Sequence, residues 1–80
     1  TTPARANLAE AAMRLRSLEL AREQFEKLVE LNYRVPDAHF NLGVIAEARR
    51  DLAAARRHYQ AALKANPRFV DAQKALARLK

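Results

Sequence analysis

The side chains that could carry out acid–base or metal chemistry are few and far apart in this sequence. The two histidines, His39 and His58, are nineteen positions apart, and no carboxylates surround them at the spacing of a metal site. Cysteine is absent, which excludes disulfides and thiolate chemistry. Ser17 is the only serine and Gly43 the only glycine, so there is no glycine-rich phosphate loop. The sequence predicts no catalytic residue, no metal site and no cofactor, and we expect His58 at the surface.

Basic side chains are the more numerous candidates for binding. The net charge is +6, from 15 Lys and Arg against 9 Asp and Glu. Residues 1–35 hold six basic and five acidic side chains, a balance of +1, whereas residues 36–80 hold nine and four, a balance of +5. This asymmetry favours an acidic partner for the C-terminal half. The alternative is an arginine-rich surface that is only solvated.

The densest basic cluster consists of four arginines in the C-terminal half: Arg49, Arg50, Arg56 and Arg57. Arginine pairs well with phosphates, so nucleic acid or another polyanion is a candidate ligand. However, no aromatic side chain is interleaved for base stacking, and there is no nucleic-acid-binding motif. Polyanion binding therefore remains an alternative, and we expect these arginines at solvated helix ends.

Helical periodicity indicates the elements that must position these side chains. Half of the residues are hydrophobic but only 6% are aromatic, and much of the apolar content is alanine, which favours helix. Apolar residues recur at helical spacing along the chain. The spacing predicts five helices, beginning near Thr2-Pro3, Ser17, Pro36, Asp51 and Val70. Thr2, Ser17 and Asp51 are the expected N-caps, and Asn66-Pro67 should end the fourth helix.

The chain also repeats itself with a period of about 34 residues, a length typical of helical repeat proteins. Asn7-Leu8 matches Asn41-Leu42, and Ala21-Arg22 matches Ala55-Arg56. Phe25 corresponds to Tyr59, and the register holds without a gap. Two copies of one helical unit are therefore expected, followed by a last helix.

The second copy carries the fuller motif, in which Leu42-Gly43 precedes Ala55, an aromatic residue follows four positions after Ala55, and Pro67 closes the unit. This pattern resembles the tetratricopeptide repeat. The resemblance implies an all-α fold in which antiparallel helical hairpins stack as a short superhelix of about five helices. It also implies a single domain over 1–80: repeat one at 2–35, repeat two at 36–69 and a capping helix at 70–80. Polar Gln73 and Lys80 take positions in that helix that are apolar in internal repeats.

By the same resemblance, the first helix of each repeat and the capping helix line a concave groove that holds a peptide or a partner's helix. The implied groove residues are Glu10, Met13, Phe40, Asn41, Val44, Glu47, Lys74 and Arg78. Some members of the family bind a chain-terminal carboxylate with a polar clamp, and three of the clamp positions match here: Asn41, Lys74 and Arg78. Ala6 and Glu10 occupy the other two, and Glu10 would repel a carboxylate. The alternative is that Lys74 and Arg78 only solubilise the last helix.

The favoured function is non-enzymatic protein–protein interaction, with an acidic peptide or partner segment in the groove. Two alternatives remain: self-assembly through the open repeat ends, and polyanion binding through the four arginines. Because the chain begins at Thr1 without a methionine, we expect it to be part of a larger protein. It has no apolar run of membrane-spanning length and no signal-peptide pattern, and the sequence does not indicate a compartment.

Overall fold

The described part of the chain consists of five helices and the turns between them, with no strand. The computed structural model describes residues 1–79. The helices are α1 (Thr2–Arg14), α2 (Leu18–Glu30), α3 (Val35–Ala48), α4 (Leu52–Ala65) and α5 (Val70–Arg78). The all-α prediction is confirmed, and the expected position of Lys80 in the last helix lies outside the described residues. None of these five helices is long and apolar enough to cross a membrane.

Polar side chains cap two of the helices at their N-termini. The Thr1 hydroxyl accepts a hydrogen bond from the Ala4 amide at 3.2 Å, and the Asp51 carboxylate accepts one from the Ala54 amide at 3.1 Å. Thr2 is already the first helical residue, so its predicted capping role is wrong by one position. Pro3 follows within the first turn, where a missing amide costs no hydrogen bond. Ser17 precedes α2 as predicted, but its side chain makes no capping bond.

The helices α1, α2 and α3 each end in a turn whose second residue beyond the helix is left-handed. These residues are Arg16, Asn32 and Arg50, with φ of 62°, 55° and 65°. After α1, the Ser17 amide donates to the Ala12 carbonyl at 2.8 Å, and the Arg16 amide donates to the Met13 carbonyl at 3.1 Å. The paired bonds form a Schellman motif, which satisfies carbonyls that would otherwise be left free at the helix end. The same pair of bonds recurs after α2 and α3.

Each helix packs against the next along the chain, and two apolar clusters hold the stack together. The first cluster joins α1, α2 and α3, and its buried members are Ala6, Ala9, Ala12, Ala21, Phe25, Leu28, Ala38, Leu42 and Ile45. The second joins α3, α4 and α5 through Ala46, Ala55, Tyr59 and Ala75. Since α3 contributes to both clusters, it links the two helical hairpins.

The α3–α4 crossing depends on Gly43. A Cβ atom placed there would lie 2.5 Å from Cε1 and 2.7 Å from Cδ1 of Tyr59, closer than any van der Waals contact. Tyr59 is fully buried, and so is Ala55 on the same helix. The missing side chain at Gly43 therefore allows α3 and α4 to cross closely.

Candidate functional site

An ion pair joins α3 to α5 among the residues predicted to form the groove. Both nitrogens at the end of the Arg78 guanidinium donate to the Glu47 carboxylate, Nη1 to Oε2 at 2.8 Å and Nη2 to Oε1 at 3.0 Å. The Tyr59 hydroxyl donates to the same Oε1 at 2.5 Å. Glu47 therefore connects α3, α4 and α5 through charge-assisted hydrogen bonds.

These contacts shift the protonation equilibria of the groups involved. The Arg78 hydrogen bonds are the main cause that lowers the pKa of Glu47, and the bond from Tyr59 adds to the effect. Burial is the main cause that raises the pKa of Tyr59, and the neighbouring Glu47 adds to it. The pKa of Arg78 is also raised, chiefly by its hydrogen bonds to Glu47. Glu47 is therefore ionised and Tyr59 neutral at neutral pH.

An aromatic stack lies next to this ion pair. The Phe40 ring packs against Tyr59 with centroids 5.5 Å apart and against Phe69 with centroids 5.3 Å apart. Phe40 and Val44 are half-buried and pack against the second apolar cluster. Part of the apolar surface predicted for the groove is therefore used to hold α3, α4 and the start of α5 together.

The polar residues predicted for the groove are distributed over three helices. On α3, the Asn41 side-chain amide donates to the Asp37 carbonyl at 3.0 Å, so one of its two N–H groups is used within its own helix. On α5, Lys74 is exposed and makes no ion pair within residues 1–79, whereas Arg78 keeps 62% of its side chain exposed despite its bond to Glu47. Glu10 is exposed on α1, and Met13 packs against the first apolar cluster.

The four clustered arginines lie at the end of α3 and on α4, all of them exposed. Arg49 donates to Glu19 of α2, and Arg56 donates to the Leu79 carbonyl at 3.4 Å. Arg50 is the left-handed residue of the turn, and Arg57 lies one turn into α4. Two of these four arginines therefore already have partners inside the chain.

The histidines behave differently from the expectation that placed His58 at the surface. His58 is half-buried, and its Nδ1 lies 3.1 Å from Nδ1 of His39, which is half-buried on α3. The prediction for His58 is wrong because α4 turns this side chain toward α3. Within residues 1–79, no group of three or more His, Cys, Asp or Glu side chains could hold a metal ion.

Sequence reasoning overlooked two features of the site. The Glu47–Arg78 pair spans thirty-one residues, and Phe69 was not predicted to contact Phe40. An available signal was that Phe69 directly precedes α5 and is the only other phenylalanine in the C-terminal half. The ion pair had no such local signal, because it depends on where α5 docks.

A cleft of about 190 Å³ lies between α2, α3 and α4, with His58 and Arg22 among its lining residues. None of the predicted groove residues lines this cleft.

Comparison with known proteins agrees with this architecture. A family model described as the tetratricopeptide repeat matches residues 6–68 and 46–79. A search of curated proteins finds no match to the chain. The family's repeats are non-catalytic scaffolds that generally mediate protein–protein interaction. Because the family model covers more than half of the chain, the protein belongs to the tetratricopeptide repeat family.

Proposed function

We propose that this chain is a non-enzymatic interaction module that binds an acidic peptide segment across α1, α3 and α5. The observation that carries the proposal is the surface where α3 meets α5. There, half-buried Phe40 and Val44 lie on one helix, and exposed Lys74 and Arg78 lie on the other. Apolar side chains on α3 and exposed cations on α5 would together suit a peptide that combines apolar and acidic side chains.

Glu47 limits how strongly this surface attracts an acidic partner. Glu47 already accepts hydrogen bonds from Nη1 and Nη2 of Arg78. A partner carboxylate could therefore bind only Lys74 and the exposed remainder of the guanidinium. An exposed ion pair contributes about 0–1 kcal/mol, so apolar contact with Phe40 and Val44 must supply most of the affinity. We expect a Kd near the micromolar range, which corresponds to a binding free energy of about −8 kcal/mol.

The proposed domain layout follows the period of the sequence repeat. Repeat one takes residues 2–35, repeat two takes 36–69, and residues 70–80 cap the stack. The helices fit this division, since α1–α2 and α3–α4 form two hairpins and α5 packs on α4. Ala72 and Ala75 bury the inner face of α5, whereas Gln73 is exposed and its side-chain amide donates to the Pro67 carbonyl at 2.8 Å.

A random peptide display library tests the proposed groove. Selected peptides should be enriched in Asp and Glu, and their binding should weaken with added salt because the ion pairs are partly exposed. Lys74→Glu/Arg78→Glu should abolish binding, whereas Arg56→Glu/Arg57→Glu, which makes the same change in net charge, should have little effect. Circular dichroism of each variant checks that it folds. The opposite ranking would assign binding to the arginine cluster and support the polyanion alternative.

Self-association is a second candidate function, and the exposure of Leu8 favours it. Leu8 on α1 is 45% exposed, whereas Leu42, its counterpart in the second repeat, is 4% exposed. A second copy of the chain that covered Leu8 would bury its side chain, as the chain itself buries Leu42 in the second hairpin. Sedimentation equilibrium should then show a concentration-dependent dimer that Leu8→Gln dissociates. A monomer at all concentrations would exclude this candidate and leave peptide binding unaffected.

A further inference from the structure

The two histidines face each other across the seam between α3 and α4. Their Nδ1 atoms are 3.1 Å apart, while the ring centroids are 5.4 Å apart. The difference between these two distances is about twice the distance from the centre of an imidazole ring to one of its atoms. Both Nδ1 atoms therefore lie close to the line that joins the ring centres, and they point almost directly at each other. Two lone pairs or two N–H groups in that position would repel. The contact is therefore a hydrogen bond that requires one proton between the rings.

The first hairpin has a different pair at the equivalent positions. Shifting His39 and His58 back by one repeat gives Arg5 and Gln24. These two side chains also meet, and Nη1 of Arg5 donates to Oε1 of Gln24 at 2.8 Å. A guanidinium always donates and an amide oxygen always accepts, so this bond does not depend on pH near neutrality. One structural position thus holds a permanent bond in one hairpin and a titratable bond in the other.

The surroundings of the pair favour its neutral form. Burial lowers the pKa of His39. Burial is also the main cause that lowers the pKa of His58, with His39 and Arg57 adding to the effect, while Glu26 of α2 opposes it. The charge of Glu26 is shared with Arg22 on the same helix, at 3.0 Å. Because His58 lines the cleft between α2, α3 and α4, water can reach its ring.

The pair also lies beside a structural contact of the second cluster. Phe40 and Tyr59, the chain neighbours of His39 and His58, pack together across the same two helices. Tyr59 in turn holds Glu47. Separation of the two histidines would therefore act on the seam that supports the proposed groove.

We propose that His39 and His58 form a proton-dependent lock on the second hairpin. The lock is closed while at least one ring is neutral and opens at mildly acidic pH, when both rings are protonated. With one added proton, an imidazolium still donates to the other ring. With two, both nitrogens carry hydrogen and both rings carry charge, so the bond is lost. The Arg5–Gln24 bond keeps the first hairpin insensitive to the same change.

The direction of the effect on stability follows from linkage. Each histidine of the unfolded chain takes up a proton below its ordinary pKa of about 6.5. The folded pKa values are lower, so this contribution to stability is complete above that pH and is lost as pH falls. Each proton that the folded chain excludes reduces the folded-to-unfolded ratio by up to about tenfold per pH unit.

The variant His39→Arg/His58→Gln provides a matched test, because it installs the first hairpin's own pair in the second. Urea unfolding is measured from pH 7.5 to pH 5.0. Between these limits, the folding equilibrium constant of the unmodified chain should fall at least about tenfold more than that of the variant. If this variant does not fold, His39→Gln/His58→Gln serves as the titration-free comparison. Equal pH dependence of the unmodified chain and the folded variant would overturn the proposal.

The nitrogen resonances of the two rings provide a second readout. They should titrate in two separate steps, because protonation of one ring hinders protonation of the other. Two independent titrations near pH 6.5 would overturn the proposal. The reciprocal variant Arg5→His/Gln24→His should give the first hairpin a pH dependence in the same range. Its absence in a folded variant would show that the position does not form a lock and would count against the proposal.

Discussion

Gly43 shows how one missing side chain determines a helix crossing. The Tyr59 ring occupies the space that a Cβ atom would need, and that ring is fully buried. Gly43→Leu should therefore lower the free energy of unfolding by about 1–3 kcal/mol, as overpacking usually does. Gly43→Ala should lower the free energy of unfolding by less, because alanine favours the helix over glycine by about 1 kcal/mol and so offsets part of the clash.

Urea unfolding measures both substitutions, and Ala48→Leu is the matched control. Ala48 lies on the same helix but is exposed, so its replacement should change stability by no more than about 0.5 kcal/mol. A Gly43→Leu variant as stable as the Ala48→Leu variant would contradict the close contact with Tyr59.

Protonation of Glu47 should contribute to the loss of folding stability at acidic pH. Its folded pKa lies below the ordinary value of 4.5 because of the bonds from Arg78 and Tyr59. Its contribution to stability is therefore complete above pH 4.5 and is lost as pH falls through the lower, folded value. We expect Glu47→Gln to reduce the loss of stability on acidification below pH 4.5.

Acid titrations followed by circular dichroism measure this response. Arg78→Gln removes the main partner of Glu47, so it should reduce the acid dependence in the same direction. If both variants titrate like the unmodified chain, the ion pair does not contribute to folding in solution.

At the scale of the helices, capping offers a comparison within one molecule. Asp51 and Ser17 stand one repeat apart at equivalent helix starts. The Asp51 carboxylate accepts from the Ala54 amide, whereas the Ser17 hydroxyl makes no such bond. Asp51→Ala should cost about 1 kcal/mol of stability, and Ser17→Ala clearly less. Thermal unfolding of both variants measures the difference, and equal losses would show that the Asp51 bond is not formed in solution.

At the scale of the whole molecule, α3 couples the two hairpins. It places Leu42 and Ile45 in the first apolar cluster and Ala46 in the second. In a stacked array each unit is stabilised by its neighbours, so loss of the first cluster should destabilise the second as well. Leu28→Ala, a deletion in the first cluster, should lower the free energy of unfolding by about 2–5 kcal/mol.

Tyrosine fluorescence reads the second hairpin separately. In a Tyr33→Phe background, Tyr59 is the remaining tyrosine and reports on the second cluster. The Tyr59 signal and far-ultraviolet circular dichroism should shift by the same amount in Leu28→Ala. If the Tyr59 transition keeps its midpoint while the dichroism changes, the hairpins unfold independently.

The sequence by itself determined the helices and their repetition. Caps, turns and apolar spacing act over about four residues, so Ser17, Asp51 and Asn66-Pro67 identified helix boundaries to within a residue or two. The period of the repeat identified the two hairpins. The misplaced cap at Thr2 is an error of this local kind, because Thr1 and Thr2 are chemically identical candidates.

Only the tertiary structure decided which side chains meet. His39 and His58 are nineteen residues apart and Glu47 and Arg78 thirty-one, and each contact depends on how two helices dock. A helical pattern fixes the face on which a side chain lies, but not the rotation and crossing angle that bring two side chains within hydrogen-bond distance. The sequence therefore indicated free charge at Arg78 and a surface position for His58, whereas docking paired Arg78 with Glu47 and turned His58 toward His39.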